Sequence, residues 1–346
     1  MSLRLVFAVP GDLGQITGGY AYDRRLIAGL RAQGWAVEVL RLPDGFPAPS
    51  PGELEETAAA LDGVPDGSLV LVDGLAFGAM PDIAARHGAR LRLAALVHHP
   101  LGYDGGLAAA ERPRLIASER AALRHARAVV ATSRTTAETL ERAFGVPRAR
   151  LHAALPGTDP APRAPADGDP PRIVAVGSLL RGKGHDVLVE ALALLRELPW
   201  RCRIVGGPRD PEVARALRRQ VRDAGLEDRI AFAGEVPEAG GELAAADLFA
   251  LATRHEGYGM AFAEALRRGL PVVGCAVGAV PEVVPAEAGE LVPADDAPAF
   301  ADALRRLLVD PALRRRRADA AWRAGQALPS WDDTARRVAA ALAGAA

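Results

Sequence analysis

The chain has 346 residues, of which 49% are hydrophobic and 25% charged, and its formal net charge is −1 at pH 7. This length and composition suit about two packed domains, and the near-zero charge argues against a dedicated nucleic-acid-binding protein. The cysteines, Cys202 and Cys275, lie far apart inside apolar runs, which indicates reduced core residues and neither a disulfide framework nor a metal site.

Export signals and membrane spans are not indicated either. The opening residues, MSLRLVFAVPGD, hold an apolar run too short for a signal peptide, and no run approaches the ~20 apolar residues of a membrane span. We therefore expect a cytoplasmic protein. Peripheral contact with the inner face of a membrane stays open, because the arginine-rich segment 111–128 could touch anionic lipid, although a solvated helix face is the simpler interpretation.

Short apolar strands alternate with helical patterns along the first half of the chain. The helical runs, such as YAYDRRLIAGLRAQG, place apolar residues three and four positions apart. The predicted strands span 3–9, 36–42, 68–73, 92–98 and 127–132.

A proline- and alanine-rich segment then interrupts the alternation. It has nothing to bury, so we interpret 161–171 as an interdomain linker. The predicted domains are therefore 1–160 and 172–346, and the final helix, 330–346, has the option of packing back on the first domain. The strands predicted in the second half span 172–177, 201–207, 229–234, 246–252, 270–275 and 289–293.

Near-continuously apolar strands separated by helices are typical of parallel sheets that are covered on both faces. The sequence therefore predicts an α/β protein with two doubly wound, Rossmann-like domains. Such sheets bind ligands at the carboxyl ends of their strands. With two domains, the natural ligand site is a cleft across which they face each other.

The segment RIVAVGSLLRGKGHDVLVEAL, residues 172–192, predicts a strand, a glycine-rich loop and a helix. From Gly177 the loop nearly matches the phosphate loop of nucleoside triphosphatases, but it has Gly184 where that loop has Ser or Thr. The missing hydroxyl is the magnesium ligand of such enzymes. Backbone N–H groups, a helix dipole and a cation remain available for a phosphate.

That cation is Lys183, the single lysine among the 42 Lys and Arg residues of the chain. Lysine is a slim point charge that arginine does not replace at a tight site. We therefore favour a phosphate-binding loop of another kind, with a chance lysine on a solvated loop as the alternative.

In the segment 252–284, the acids Glu256 and Glu264 have seven residues between them. Glu256 falls in a loop after a strand, and Glu264 lies about two turns into the next helix. Carboxylates accept paired hydrogen bonds from vicinal hydroxyls, which sugars and riboses present. A helix-capping acid and a solvated helix acid are the structural alternative.

Several motifs together resemble one family. EGYGMAFAEA, GLPVVG and GAVPEVV, together with the loop GSLLRGKG, closely resemble the retaining family 4 glycosyltransferases, which have the two-domain GT-B fold. The resemblance is dense over 172–310 and weaker before it, and it is the combination of motifs that is specific.

The resemblance implies a donor-side role for each matching residue. Glu264 would bind the ribose hydroxyls of the donor nucleotide. Glu256 would bind hydroxyls of the donor sugar and is a candidate catalytic residue. Lys183 would neutralise the diphosphate. Backbone N–H groups would line the sugar and diphosphate around Tyr258, Gly259 and Met260.

One position departs from the family pattern. Many members have Arg directly after the first glycine of the loop, where this chain has Ser178. Arg181 is the candidate to supply this second cation from a shifted position. Val236 falls where the family lays the nucleotide base against backbone and an apolar side chain.

In the first half of the chain, the resemblance to the family is weaker. Gly18 and Gly19 would let the backbone approach the diphosphate from the other domain, with a flexible turn as the alternative. His98 aligns with a histidine that lies near the donor sugar in the family, and we take it as the second candidate catalytic residue. Asp73 is a weaker, acceptor-facing candidate.

The implied function is transfer of a sugar from a nucleoside-diphosphate-sugar donor to a hydroxyl of an unknown glycan, lipid or small-molecule acceptor. The resemblance implies retention of anomeric configuration, and we expect no metal, no cofactor and no nucleic-acid partner. The alternatives are an epimerase or phosphorylase of the same fold, a catalytically silent sugar-nucleotide-binding protein and, most remotely, a nucleoside triphosphatase. Donor base, sugar, acceptor and oligomeric state stay open.

Overall fold

The computed structural model describes residues 3–105, 107 and 110–344. The chain divides into two compact units, of which the first comprises Met1–Gly157 with Pro329–Ala346 and the second Thr158–Leu328. The segment predicted as a linker, 161–171, lies within the second unit.

Each unit contains one sheet of six strands that pair only in parallel among the described residues. The prediction of two parallel, doubly wound α/β sheets is confirmed. The strands of the first sheet are β1 (Arg4–Pro10), β2 (Ala36–Leu42), β3 (Leu69–Asp73), β4 (Arg92–Val97), β5 (Ala128–Ala131) and β6 (Leu151–Ala153). Those of the second are β7 (Arg172–Val176), β8 (Arg201–Val205), β9 (Ile230–Gly234), β10 (Leu248–Leu251), β11 (Val272–Cys275) and β12 (Gly289–Val292).

Helices connect the strands. In the first unit they are α1 (Gly18–Ala32), α2 (Pro51–Asp62), α3 (Gly74–Phe77), α4 (Pro81–His87), α5 (Arg112–Leu123) and α6 (Arg134–Phe144). In the second unit they are α7 (His185–Ala193), α8 (Pro211–Asp223), α9 (Gly240–Ala244), α10 (Met260–Arg267), α11 (Val280–Val283), α12 (Ala297–Val309) and α13 (Pro311–Gln326). A last helix, α14 (Trp331–Gly344), belongs to the first unit. No helix of the described ranges is both long and apolar enough to cross a membrane.

The order of the strands decides where each sheet can bind a ligand. The first sheet runs β2-β1-β3-β4-β5-β6 and the second β12-β11-β10-β7-β8-β9. In a doubly wound sheet, the loops diverge where the strand order reverses, and they leave a crevice at the carboxyl ends of the two strands. That point lies between β1 and β3 in the first unit and between β7 and β10 in the second.

Local sequence explains many helix boundaries. Asp210 and Asp310 each accept backbone N–H hydrogen bonds at the start of a helix whose first residue is proline. Ser50 and Glu53 form a reciprocal capping box at the start of α2. Short capping motifs therefore specify where these helices begin.

The core of the first unit extends over both faces of its sheet, and α14 covers part of one face. Val338 and Leu342 on α14 are fully buried, and the Thr334 hydroxyl donates to the Leu155 carbonyl at 2.7 Å. Gly29 on α1 permits close packing, because a Cβ there would lie 2.6 Å from Cβ of Ala335. The helix is therefore an integral layer of the first unit.

Candidate functional site

In the second unit, the loops after β7 and β10 meet at the point where the strand order reverses. The backbone of Arg254 donates to the Gly182 carbonyl at 2.8 Å, and the Thr253 hydroxyl donates to the same carbonyl at 3.1 Å. The glycine-rich loop and the segment that carries Glu256 are thus hydrogen-bonded to each other, although about 70 residues separate them in sequence.

Gly184 shows why the loop after β7 departs from the triphosphatase pattern. Its φ is +64°, and a Cβ at this position would overlap the carbonyl oxygen of Ala252. Ser or Thr therefore cannot stand here without moving the loop. The position that would hold the magnesium-binding hydroxyl is used for close packing against the chain that follows β10.

The side chain of His185 bridges the same loop. Its Nε2 lies 3.0 Å from the carbonyl oxygen of Gly177, across the loop. Burial lowers the pKa of His185 to about 4, so the ring is neutral near pH 7 and Nε2 donates to the carbonyl. The side chain fixes the shape of the loop and contributes no positive charge to it.

Lys183 and Glu256 form an ion pair with 2.6 Å between Nζ and Oε1. The lysine side chain is 31% exposed and the glutamate 10% exposed. The structure therefore brings together two residues that the sequence places in the donor site separately. The charge of Lys183 is matched by Glu256, and its side chain is the more exposed of the two.

Arg254 holds this arrangement in place. Its guanidinium pairs with Asp186 at 2.8 Å and with Asp295 at 2.6 Å. Burial tends to raise the pKa of Asp186, but hydrogen bonds from Arg254 and its charge outweigh burial and hold that pKa below its ordinary value. Sequence analysis missed Arg254, whose only signal is its position two residues before Glu256 at the end of a buried strand.

The GAVPEVV motif supports Glu256 from the other side. Gly278 has φ +50°, and a Cβ there would overlap the backbone of Glu256. The next residue, Ala279, donates its N–H to the Glu256 carbonyl at 3.0 Å. The motif thus acts on the backbone that carries the glutamate.

The start of α10 presents backbone N–H groups beside Glu256. Gly259 is the N-cap, with φ +99° and no side-chain cap, and the helix begins at Met260. Such a helix start favours an anion. The Tyr258 side chain is 4% exposed and its buried hydroxyl has no hydrogen-bond partner among the described residues, so its ring belongs to the packing beneath the loop.

Glu264 lies one turn further along α10 and is partly buried. Burial raises its pKa to about 7, against the opposing charge of Arg268. Within the described part of the chain, its carboxylate has no hydrogen bond or ion pair. It is therefore available to accept hydrogen bonds from an incoming group.

The remaining donor-side candidates lie around the same loop. Ser178 is partly exposed, and the neighbouring N–H of Leu179 donates to the Gly207 carbonyl at 2.9 Å. Arg181 lines a cavity of about 240 Å³ between the loop and α8. Val236 is partly exposed after β9. The structure thus places Arg181 in surroundings different from those of Lys183.

In the first unit, polar groups gather at the corresponding reversal point. Gly18 and Gly19 form the first turn of α1, where Thr17 is the N-cap. A Cβ on Gly19 would lie 3.4 Å from Cδ2 of His98. The start of α1 therefore lies directly against the ring of the histidine that follows β4.

His98 is held by two carboxylates. Its Nε2 lies 3.2 Å from Oδ1 of Asp23 on α1 and 3.2 Å from Oδ2 of Asp73 at the end of β3. Asp23 is completely buried and Asp73 is 1% exposed. This trio is the group of His, Cys, Asp and Glu residues in the described ranges whose ligand atoms are close enough to hold a metal ion.

The charges of the three side chains influence one another strongly. Burial tends to lower the pKa of His98, but Asp23 and Asp73 outweigh burial and raise it to about 10. Burial raises the pKa of Asp23 to about 7, and His98 opposes that rise. Both carboxylates thus favour the protonated form of the imidazole.

Sequence analysis found His98 and Asp73 but missed Asp23. A usable signal exists, because Asp23 occupies the same helix face as Leu26, Ile27 and Leu30, and all four are buried. An acid on the apolar face of an amphipathic helix needs a buried partner, and that partner is His98.

Two family models match the chain. "Glycosyltransferase Family 4" matches residues 65–162, and "Glycosyl transferases group 1" matches residues 170–310. The second match lies within the second unit, whereas the first match covers part of the first unit and ends with residues 158–162 of the second. Together they cover both sheets in part.

Curated relatives give a consistent result. The GDP-mannose-dependent alpha-(1-6)-phosphatidylinositol monomannoside mannosyltransferase of Mycolicibacterium smegmatis is 33% identical over 294 residues, which are 76% of this chain and 72% of that protein. The D-inositol 3-phosphate glycosyltransferase of Xylanimonas cellulosilytica is 35% identical over 233 residues, or 60% of this chain. The chain spans about half the length of the latter relative, 54%.

Solved structures share the fold along nearly the whole chain. Sucrose-phosphate synthase from Thermosynechococcus elongatus has a TM-score of 0.81 at 23% identity, covering 97% of this chain and 98% of that one. Anabaena HepE in complex with UDP-glucose has a TM-score of 0.77 at 19% identity, covering 99% and 100% of the two chains. These similarities concern the fold alone.

Proposed function

Because the chain belongs to the family 4 glycosyltransferases of the GT-B type, we propose that it transfers a sugar from a nucleoside-diphosphate-sugar donor to an acceptor hydroxyl. The observation that carries this proposal is the pairing of Lys183 with Glu256 where the strand order of the second sheet reverses. One cation for a diphosphate and one carboxylate for sugar hydroxyls lie within hydrogen-bond distance of each other.

The donor is proposed to bind along the loops after β7 and β10. Its diphosphate takes the ammonium of Lys183 and the backbone N–H groups at the start of α10. Glu256 accepts hydrogen bonds from the hydroxyls of the donor sugar. The carboxylate of Glu264 accepts hydrogen bonds from the ribose hydroxyls. Val236 is the proposed contact of the base, as the family resemblance implies.

We propose that the reaction needs no metal ion at the donor site. The leaving nucleoside diphosphate carries growing negative charge, and Lys183 and the helix start are positioned to stabilise it. The expected consequence is a donor affinity that a chelator leaves unchanged.

Retention of anomeric configuration is proposed from the family resemblance. The bond between the anomeric carbon and the diphosphate oxygen breaks, and the acceptor oxygen bonds to the same face of that carbon. The proton of the acceptor hydroxyl passes to the departing phosphate oxygen. In this front-face route Glu256 binds the sugar and forms no covalent bond.

The names of the relatives suggest which substrates to try first. One is a mannosyltransferase that depends on GDP-mannose and acts on a phosphatidylinositol mannoside, and another acts on D-inositol 3-phosphate. We propose a polyol or sugar hydroxyl as the acceptor, and both lipid-linked and free inositol compounds as the first acceptors to test. A lipid-linked acceptor would bring the protein to a membrane surface.

Thermal unfolding with UDP, GDP, ADP, CDP or TDP, each with magnesium or with EDTA, tests the donor site. A ligand at a hundredfold excess over its Kd adds about 2.7 kcal/mol to the free energy of unfolding of the form that binds it. We expect one diphosphate to raise Tm equally in both buffers. No increase with any nucleotide, or an increase only with magnesium, would contradict the proposed donor site.

Transfer itself separates the proposal from its alternatives. With the matching nucleotide sugar, we expect a new glycoside whose anomeric configuration is that of the donor. Interconversion of the donor sugar without an acceptor would indicate an epimerase, and release of a sugar phosphate with inorganic phosphate would indicate a phosphorylase. Binding without turnover would indicate a silent binding protein, for which Ser178 is the supporting observation.

A further inference from the structure

Another ion pair of the second unit joins the loops that follow β8 and β9. Arg209 follows β8 and Glu235 comes directly after β9, and Nη2 of the arginine lies 3.1 Å from Oε2 of the glutamate. We propose that Glu235 binds the base of the donor nucleotide and selects guanine, and that Arg209 is a positioning residue that holds the carboxylate. This role of Glu235 rests on the proposed glycosyltransferase function and narrows it, since it makes the donor a guanine nucleotide.

The loops after β7, β8 and β9 are hydrogen-bonded to one another. The N–H of Leu179 donates to the Gly207 carbonyl at 2.9 Å, and the N–H of Gly206 donates to the Gly234 carbonyl at 2.8 Å. The first bond ties the glycine-rich loop to the segment after β8, and the second ties that segment to the end of β9. The segments that carry the ion pair are therefore held against the glycine-rich loop.

The strand order places the pair where the nucleoside of a bound donor would lie. β7, β8 and β9 are neighbours in that order, and two strand spacings, about 10 Å, separate the end of β9 from the end of β7. The loop after β7 carries Lys183, the proposed partner of the diphosphate. Because the sugar is proposed to bind Glu256 after β10, the nucleoside extends in the opposite direction, toward the loops after β8 and β9.

The carboxylate proposed for the ribose lies near the same loops. Arg268, the C-cap of α10, is one turn beyond Glu264 and lies against Gly240, where a Cβ would be 2.7 Å from its Nη2. Gly240 begins α9, five residues after Glu235. The proposed contacts of the ribose and of the base thus lie on neighbouring elements.

Gly207 explains how the carboxylate of Glu235 is held. A Cβ on Gly207 would overlap Oε2 of the glutamate, so the side chain folds back over the glycine. Arg209 pairs with the same oxygen, and its own N–H donates to the Gly207 carbonyl at 2.9 Å. Within the described residues, Oε1 of Glu235 has no hydrogen bond or ion pair, and the side chain is 37% exposed. The carboxylate is therefore positioned and still available to a ligand.

The neighbours of the pair along the chain suit a base. Pro208 precedes Arg209 and is exposed, and Val236 follows Glu235 and is partly exposed. The faces of a base are apolar and its edge is polar, so a base that packs a face on these residues can turn its edge to the carboxylate.

A carboxylate distinguishes the bases by their hydrogen-bond donors. Guanine presents N1–H and the 2-amino group side by side, and a carboxylate accepts from both. Adenine and cytosine present an amino group beside an acceptor nitrogen, and uracil and thymine present one N–H between two carbonyl oxygens. Those acceptors repel a carboxylate, so guanine is the base that Glu235 favours.

Isothermal titration calorimetry of the full-length protein with GDP, ADP, CDP, UDP, TDP and inosine diphosphate tests the choice of base. Inosine diphosphate is the sharpest probe, because it differs from GDP only in lacking the 2-amino group. We expect GDP to bind most tightly, with inosine diphosphate about tenfold weaker and UDP up to about a hundredfold weaker. Tighter binding of any other base, or equal binding of GDP and inosine diphosphate, would overturn the proposal.

Replacing Glu235 tests the carboxylate itself. In Glu235→Gln, we expect GDP affinity to fall about tenfold and the affinity ratio of GDP to inosine diphosphate to approach one. General damage to the site would weaken both ligands alike and keep their ratio, and that result, or an unchanged GDP affinity, would overturn the proposal. The matched control is Glu227→Gln, an exposed residue before β9 at the opposite end of the strand, which should leave every affinity unchanged.

Replacing Arg209 tests its positioning role. In Arg209→Ala, we expect the ratio of GDP to inosine diphosphate to fall while UDP affinity changes little, because the arginine acts through the carboxylate. In Arg209→Lys, which keeps a cation beside Glu235, part of the ratio should return. An equal loss of affinity for every diphosphate in Arg209→Ala would make the arginine a phosphate contact and overturn its positioning role.

The same titrations separate the choice of base from the proposed function. If no nucleoside diphosphate binds, the proposed donor site fails, and guanine selection by Glu235 fails with it. If a diphosphate binds and its nucleotide sugar supports transfer, but the base is not guanine or the ratio ignores Glu235, the function stands and the role of Glu235 is refuted.

Discussion

The two units have the same kind of sheet but assemble their polar groups differently. In the second unit, Lys183 and Glu256 lie on two loops that are hydrogen-bonded to each other, and the lysine is 31% exposed. In the first unit, two carboxylates with at most 1% exposure enclose one edge of His98. The ion pair of the second unit is partly exposed, whereas the carboxylates of the first unit are buried around one side chain.

Lys183 and His98 differ in how exposed their carboxylate partners are. Lys183 has one partner at the rim of a crevice, so a phosphate can compete for it in water. His98 has two buried carboxylates as partners, and both lie at one edge of its ring.

Replacing Lys183 should have the largest effect. In Lys183→Ala, we expect kcat/KM to fall by about 10²–10³, because the charge on the leaving diphosphate is no longer stabilised. Steady-state kinetics and nucleoside diphosphate titrations measure this. The matched control is Arg201→Ala, which removes an exposed cation of β8. Equal losses in both variants would mean that net charge, and not the position of Lys183, matters.

Removing the charge of Glu256 should separate binding from transfer. In Glu256→Gln, we expect kcat to fall about 100-fold while affinity for the nucleoside diphosphate is kept or increased, because Lys183 loses its counter-charge. Calorimetric titration and initial rates give the two quantities. If nucleotide affinity fell together with the rate, the idea that a phosphate competes with Glu256 for Lys183 would be wrong.

Replacing Arg254 should lower the stability of the second unit, which carries the donor-site loops. In Arg254→Ala, we expect the second unit to lose about 1–3 kcal/mol of unfolding free energy, because two ion pairs to Asp186 and Asp295 are broken. Urea unfolding monitored by circular dichroism measures the loss, and Arg218→Ala on α8 is the control. A stable variant with normal nucleotide binding would show that the two loops hold their arrangement without this tether.

Glu119, on α5, should make the stability of the first unit depend on pH. Burial raises its pKa to about 8, partly opposed by the N–H of Leu101. Because the folded state then binds a proton that the unfolded state releases near its ordinary pKa, stability should decline as pH rises from about 5 through 8. In Glu119→Gln this decline should be smaller by about 3 kcal/mol, as measured by urea unfolding at pH 5 and pH 8.

The control for this experiment is Glu55→Gln, since Glu55 is exposed on α2. It should keep the wild-type decline. A wild-type protein with the same stability at both pH values would show that Glu119 is not held protonated in the folded state.

Much of the fold could be predicted from sequence, since the central strands are apolar runs bounded by glycine, proline or helical patterns. The edge strand β6 (Leu151–Ala153) was missed, because its three residues are only partly buried and form no apolar run. The predicted strand 246–252 is longer than β10 (Leu248–Leu251), because apolar residues continue into the buried turns on either side.

The two sites differ in how much the sequence reveals. In the second unit, Glu256 and Glu264 belong to one continuous motif, and Lys183 stands out as the single lysine. The contact between Lys183 and Glu256 forms because β7 and β10 are neighbours in the sheet. No local sequence pattern predicts that these two strands are adjacent. In the first unit, His98, Asp73 and Asp23 come from three separate elements, and each looks ordinary in its own segment.

The placement of α14 has a consequence for how the protein is made. A chain leaves the ribosome from its N-terminus, and domains generally fold as they emerge. The first unit begins to emerge first, but the surface that receives Val338 and Leu342 has no cover until the whole second unit has been synthesised. The earliest unit is thus the last to be completed, and in the interval its exposed apolar surface is the natural target of a nascent-chain chaperone.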